Sequence, residues 1–405
     1  MTSTITLIMS NFKVKLADNT ITNLEKSKLA KWIANNNYFT KGKLTQKFEK
    51  EFSKKIKNKF SIFVNSGSSA NLLIAKSLQE LHKKRKIRII LPSVSWITTV
   101  MPFEQLGFNI RLLDCSVDDL GLNVEKLEDI CKKFKPQYVC LVHVLGHLNN
   151  MKKIIYLSKK YKFKIIEDNC EAIGSKLKNR YSGSFGYVSS CSFYYGHQIT
   201  TIEGGMVSTN DKKLNEIMKS VRSHGWARDI DIQLKKKFEK KYNIDSVRSL
   251  YTFYYSGFNL RSTEINAKLG LTQIKKIDKI AAKRHYIFNL YAKYLKDFWV
   301  QKSDTDQISN FGYATLVKNR TEVFEELIKN KIETRPLICG NIALQPVWLN
   351  NHKKQSDLTN ADLVHYYGIY LPNHYNLKKK DVEFVCDIFK KIAKPIFFKL
   401  NQNKS

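Results

Sequence analysis

A serine hydroxyl, Ser192, stands five residues before an imidazole, His197, and both follow an acidic pair, Glu167-Asp168, that closes the apolar run FKIIEDN. As chemistry these are a carboxylate at a strand end, a hydroxyl, and a group that titrates near neutrality and can move protons in both directions. Lysine is absent from Asn179 through Asp211, although the chain holds 69 Lys and Arg. A second stretch, VNSGSSANLL, joins an apolar strand to a helical pattern through Ser66-Gly67-Ser68-Ser69. Free amides and the helix dipole face such a turn, which makes it an anion site. Many α/β turns share that pattern, so alone it is weak.

Alternating strands and helices must position these groups. FSIFVN, IRIILPS, IRLLDC, YVCLVHV and FKIIEDN read as strands. VSWITTVMPFEQLG, NVEKLEDICKKF and NMKKIIYLSKKY read as the helices between later strands, and ITNLEKSKLAKWIANN and KLTQKFEKEFSKKI as two leading helices. This predicts a mainly parallel sheet between helices. Functional groups in such a sheet gather beyond the carboxyl ends of its strands, where Asn65–Gly67, Ser93–Trp96, His143 and Asp168 fall. LNEIMKSVRSHGWARDI reads as a helix ending near His224-Gly225, and the lysine-rich stretch to about Ser249 as an exposed insertion. We expect a large domain over 1–282 and a smaller C-terminal α+β domain over 283–405, entered by a long helix from about Ala282.

At 405 residues, 43% hydrophobic and 12% aromatic, the chain can bury a sizeable core. No signal peptide is evident in MTSTITLIMSNFK and no run reaches the length of a membrane span, so a soluble cytoplasmic protein is expected. Seven cysteines, odd in number and never spaced C-x-x-C, point to buried thiols rather than disulfides or a metal site. The net charge of +33 is spread over every segment, which reads as solvated lysine faces; such a field favours an anionic substrate over a dedicated nucleic-acid site.

Taken together, VNSGSSANLL, LPSVSWITTV, VLGHLNNM, IIEDNCEAIG, SFYYGH…EGGMVSTND and GFNLRSTEINAKLGLTQIKKI resemble the DegT-type sugar aminotransferases, nearly end to end. That resemblance implies the aspartate-aminotransferase (type I PLP) fold with a seven-stranded sheet, and pyridoxal 5'-phosphate (PLP) or its amino form, pyridoxamine 5'-phosphate (PMP), as cofactor. Asp168 would face the pyridine nitrogen and keep it protonated, so that the ring acts as an electron sink. Trp96 would cover the ring, Gly67, Ser68 and Ser192 would hold the phosphate, and Glu171 would shape the pocket. Asn259, in the GFN-x-R motif, would reach the phosphate of a neighbouring subunit, implying a homodimer. His224, Arg261 and Arg335 are candidates for substrate contacts. One by one, each has a plainer explanation: a core tryptophan, a solvated strand-end aspartate, a packed histidine, a surface arginine.

The chain departs from the family where the aminotransferases carry their cofactor-linking lysine. His197 has no primary amine to condense with an aldehyde. The resemblance therefore narrows to the 4-keto-6-deoxyhexose 3-dehydratase branch, with a GDP-linked 4-keto-6-deoxymannose as implied substrate and L-glutamate as amino donor. There the amino cofactor takes the C4 ketone, His197 moves the proton at C4′, and the C3 hydroxyl leaves. Related CDP-sugar enzymes add a cysteine-bound cluster, which the two cysteines after Cys191 disfavour. An ordinary aminotransferase using another lysine, and a non-catalytic relative, stay open.

Overall fold

Short strands buried on both faces build the centre of the molecule. A computed structural model describes residues 12–83 and 86–396; the amino-terminal stretch 1–11, read above for a signal peptide, lies outside the described residues. The strands of the main part are β1 Phe60–Val64, β2 Arg88–Pro92, β3 Asn109–Leu113, β4 Tyr138–Val142, β5 Lys164–Asp168, the ribbon β6 Lys176–Leu177 with β7 Arg180–Tyr181, β8 Val188–Ser192 and β9 Gly205–Thr209. Seven of them form one sheet in the order β1-β9-β8-β5-β4-β2-β3. β3, β2, β4, β5 and β8 run parallel; β9 runs antiparallel to both β8 and β1. The mainly parallel seven-stranded sheet is thus present.

Alternate side chains sort the core to the two faces. Ile89, Leu91, Cys140 and Ile166 pack with Leu73, Ile74 and Leu78 of helix Gly67–His82 and with Leu214, Ile217 and Met218 of helix Lys212–Val221. Their neighbours Ile90, Val139, Leu141 and Ile165 pack with Leu127 and Cys131 of helix Val124–Phe134 and Ile154 and Leu157 of helix Met151–Tyr161. Side-chain caps start these helices: Ser66, Asn123, Asn150 and Asp211 each accept from a backbone amide of the first turn.

Two sequence expectations differ from the structure. The long helix expected over VSWITTVMPFEQLG is a 3-10 turn, Ile97–Thr99, followed by a short helix, Met101–Gln105. Ile97, Thr98, Thr99 and Val100 are all β-branched, and Pro102 lacks an amide proton, so a continuous helix is opposed by sterics and by a missing donor. The helix expected to reach His224-Gly225 ends at Val221. His224 (φ 65°) and Gly225 (φ 85°) are left-handed, and a Cβ on Gly225 would lie 1.7 Å from the Tyr255 carbonyl oxygen. The lysine-rich stretch beyond contains helix Ile232–Tyr242, none of whose residues is buried.

A second, antiparallel sheet, β10 Gly312–Leu316, β12 Gly368–Pro372 and β11 Arg335–Pro336, has its own core with helix Lys379–Ile392. Helix Ile277–Tyr294 spans both parts: Ile277 and Ile280 pack in the main body, Ile287 and Tyr291 in the second core. Val14 joins that second core and bridges to Ile332.

At β1, Phe48, Phe52, Phe63 and Phe193 form a cluster of rings, all fully buried, in which Phe48 and Phe193 each touch the other three. Phe193 directly follows Ser192 and so fixes the chain leading to His197. Phe193→Ala is expected to reduce the unfolding free energy by about 3–5 kcal/mol, the range for deleting a buried aromatic ring. Denaturant unfolding measures this, and a loss below about 1 kcal/mol would show that the ring group is not a stabilising core.

Candidate active site

Strand alternation separates the acidic pair. Glu167 points into the interior, where its carboxylate accepts from the Gly183 amide at 2.9 Å and lies 3.0 Å from His143 Nε2. Asp168 faces a cavity of about 430 Å³ at the carboxyl ends of β1, β4, β5 and β8. Its Oδ2 accepts from Asn71 Nδ2 and Thr99 Oγ1, both at 2.8 Å, and its Oδ1 from the Cys170 amide at 3.1 Å. A buried carboxylate whose oxygens are satisfied in this way keeps its direction.

Gly67, Ser68, Trp96, Asp168, Glu171, Ser192, His197 and Arg335 all line that one cavity. At one end is the amino terminus of helix Gly67–His82. A Cβ on Gly67 would fall 2.6 Å from Ser192 Cβ and 3.0 Å from its Oγ, so only glycine lets these two strand ends approach. Ser68 Oγ is 2.9 Å from Thr98 Oγ1. The indole of Trp96, 57% exposed, forms an apolar wall. His197 lies 5.0 Å from the Phe311 ring centroid, tilted by 37°. Burial pushes its imidazole down to about 3; the Arg284 guanidinium adds to this and the Cys170 backbone opposes it. Its Nδ1 is buried with no hydrogen-bond partner.

Asn259, His224 and Arg261 are not part of this cavity wall. They form their own surface group, with Arg261 Nε donating to Asn259 Oδ1 at 3.0 Å and Arg261 Nη2 lying 3.4 Å from His224 Nε2. Backbone bridges pin this group beside the site: Arg261 to Val64 at the end of β1, and Asn259 to Ser223. Sequence reasoning passed over Asn71, Thr99, Glu203, Phe311 and Tyr370, which touch Asp168 or line the cavity. Asn71 carried a signal: it lies four residues after Gly67, on the same helix face.

These residues fit a flat, phosphorylated pyridine. The helix terminus with the Gly67–Ser192 approach suits an anion, Asp168 suits a protonated ring nitrogen, Trp96 suits an aromatic face, and His197 lines the same space. No lysine lines the cavity among the described residues.

Glu171 accepts from the Leu145 amide at 2.8 Å, and burial with the nearby Asp168 charge raises it from 4.5 to about 7. A carboxyl with a raised folded-state value gives stability that is complete below pH 4.5 and lost as pH rises through 7. Glu171→Gln, which cannot ionise, is expected to remove about 1–3 kcal/mol of that pH dependence in the ligand-free protein. Unfolding curves from pH 5 to 8 measure it; identical pH profiles for the two proteins would contradict it.

Residues 20–390 match the DegT/DnrJ/EryC1/StrS aminotransferase family. The chain is 30% identical over 371 residues to GDP-4-keto-6-deoxy-D-mannose 3-dehydratase of Yersinia pseudotuberculosis, covering 89% of this chain and 94% of that protein. It is 28% identical over 387 residues to the enzyme of the same name from Escherichia coli O55:H7, covering 93% and 99%. A crystal structure of a GDP-4-keto-6-deoxymannose-3-dehydratase histidine-to-asparagine variant with bound GDP-perosamine superposes with a TM-score of 0.85 at 27% identity, covering 94% of this chain and 100% of that one. Another, with a trapped PLP-glutamate geminal diamine, superposes at 0.83 and 26% identity, covering 94% and 100%. With residues 20–390 matched, the chain belongs to the DegT/DnrJ/EryC1/StrS aminotransferase family.

Proposed function

We propose that this chain is a PLP/PMP-dependent 3-dehydratase that removes the C3 hydroxyl of a nucleotide-linked 4-keto-6-deoxyhexose, GDP-4-keto-6-deoxy-D-mannose, with L-glutamate as amino donor. Its place is deoxysugar synthesis for a lipopolysaccharide O-antigen. The observation that carries the reading is His197: an imidazole, not an amine, shares the cavity with Asp168 and Trp96. The likeness to 3-dehydratases over most of both chains supports the same substrate.

The bound cofactor supplies an electron sink for cleaving bonds next to the former ketone. Asp168 holds the ring nitrogen protonated, its carboxylate aimed by Asn71, Thr99 and the Cys170 amide. Gly67, Ser68 and Ser192 bind the phosphate at the helix terminus, and Trp96 covers one ring face and excludes water. His197, neutral at physiological pH, takes the proton at C4′ as general base and delivers it toward the departing hydroxyl as general acid. Arg335 reaches the sugar nucleotide from the second sheet. Glu171 shapes the wall between.

The surface group of Asn259, His224 and Arg261 fits a homodimer in which one copy's Asn259 reaches the other's phosphate site and the two basic groups meet the other's substrate. We place the division into large and small parts within helix Ile277–Tyr294, near 282/283, with residues 12–16 packed on the small part. No helix among the described residues is long and apolar enough to cross a membrane. A nucleotide-sugar substrate goes with a cytoplasmic enzyme.

With PLP, glutamate and the GDP-linked ketosugar, the protein is expected to release a 3-deoxy-4-keto product. His197→Asn should lower turnover by about 100- to 10,000-fold, the usual worth of a general acid–base, while PLP affinity changes little. Borohydride should leave no covalently fixed cofactor. Unchanged turnover in the variant would remove His197 from the reaction, and a trapped lysine adduct with an amino-sugar product would make the protein an aminotransferase.

A further inference from the structure

A fully buried arginine lies behind the proposed base. Arg284, on helix Ile277–Tyr294, is 1% exposed, and no carboxylate pairs with it among the described residues. Carbonyl oxygens alone receive its fork. Nη1 donates to Asn310 O at 3.0 Å, to Phe311 O at 3.2 Å and to Asn373 O, and Nη2 donates to His197 O at 3.4 Å. Burying a guanidinium without a counter-charge costs stability, and a well-packed apolar residue would avoid that cost. Here the charge sits against the two residues whose rings face each other in the cavity, His197 and Phe311.

The groups tied together by Arg284 are continuous with the cavity wall. Asn373 Nδ2 donates to Asn310 Oδ1 at 2.6 Å and to Arg284 O at 3.1 Å. Asn310 Nδ2 and the Phe311 amide both donate to the Leu145 carbonyl, at 2.8 and 3.1 Å. Leu145 in turn gives its amide to Glu171 and has a left-handed backbone (φ 52°). One side chain from the helix joining the two cores therefore fixes the base's backbone, the aromatic surface beside the base, and the opposite wall.

We infer that Arg284 is a positioning residue for the reaction: its fork holds the His197 backbone and so fixes where the ring stands, and its charge opposes protonation of that ring. The inference rests on His197 being the proton-transferring group of the reading above. A like charge beside an imidazole disfavours its protonated form, and the depressed value of His197 agrees in direction. Other titratable groups line the same cavity. Asp168, Cys170 and Glu171 do so from the loop after β5, Tyr194 and Glu203 from the turns between β8 and β9, and Arg335 and Tyr370 from the second sheet. His374, next to Asn373, is itself lowered to about 4, chiefly by burial and then by Arg284. None of these residues is itself altered in an Arg284 variant, so the comparison changes the guanidinium and what it holds.

The test is a titration of the ligand-free protein with ¹³C-labelled histidine, followed by NMR, with His197→Asn identifying the resonance. Arg284→Gln, which keeps a hydrogen-bond donor and loses the charge, is expected to move the His197 midpoint upward by on the order of one pH unit. Arg284→Lys, which keeps the charge and loses the fork, should leave the midpoint near that of the parent while kcat falls about tenfold or more at little-changed KM. A His197 midpoint unmoved in folded Arg284→Gln overturns the electrostatic half, and full kcat in Arg284→Lys overturns the positioning half. Should Arg284→Gln not fold, the kcat of Arg284→Lys decides alone. The midpoint is read without turnover, so absence of a 3-deoxy product from the parent protein would refute the dehydratase reading and leave the titration result standing.

Discussion

The carboxylate of Asp168 is the constraint to which the rest of the site answers. It ends β5, and three separate parts of the chain donate to it: Asn71 from the helix after β1, Thr99 from the turn after β2, and the Cys170 amide from its own loop. A charge buried to 4% exposure is tolerated only when its oxygens are satisfied, so the three donors must arrive together. Their arrival sets the helix terminus at Gly67, which in turn can meet Ser192 only because residue 67 lacks a side chain. Anion site, aromatic wall and carboxylate are thus one assembly held by the parallel strands.

The other side of the cavity is built on different terms. Phe311, Arg335, Pro336, Ile338 and Tyr370 come from the second part of the chain. Phe311, Ile338 and Tyr370 pack against the core of the main sheet, and the Phe311 carbonyl is also held by Arg284 of helix Ile277–Tyr294. His197 stands where the two parts meet: its backbone carbonyl accepts from Arg284 and its ring leans on Phe311.

Five strands and the helices around them could be read directly, because their apolar residues are bounded by turn residues and alternate with helical patterns. β8 (VSSCS) and β9 (GMVST) could not. They lie in the middle of the sheet, buried on both faces, yet consist largely of Ser, Gly and Thr because helix Gly67–His82 and the Gly67–Ser192 approach leave no room for larger side chains. The turn at Ile97–Thr99 was hidden for the opposite reason: its composition is apolar and helix-like in spacing, while β-branching and Pro102 decide the backbone.

By itself the sequence determined the alternating α/β order, the family through its motifs in register, and the chemistry available, because a missing lysine between Asn179 and Asp211 is a statement about residue types that folding cannot alter. Only the tertiary structure decided which of those residues meet. It turned Glu167 inward and Asp168 toward the cavity, gathered eight candidates around one space, and set Asn259, His224 and Arg261 apart on the surface. It also brought Arg284, 87 residues distant in sequence, to the His197 carbonyl. Such meetings depend on long-range packing, which residue identity and local spacing do not encode separately.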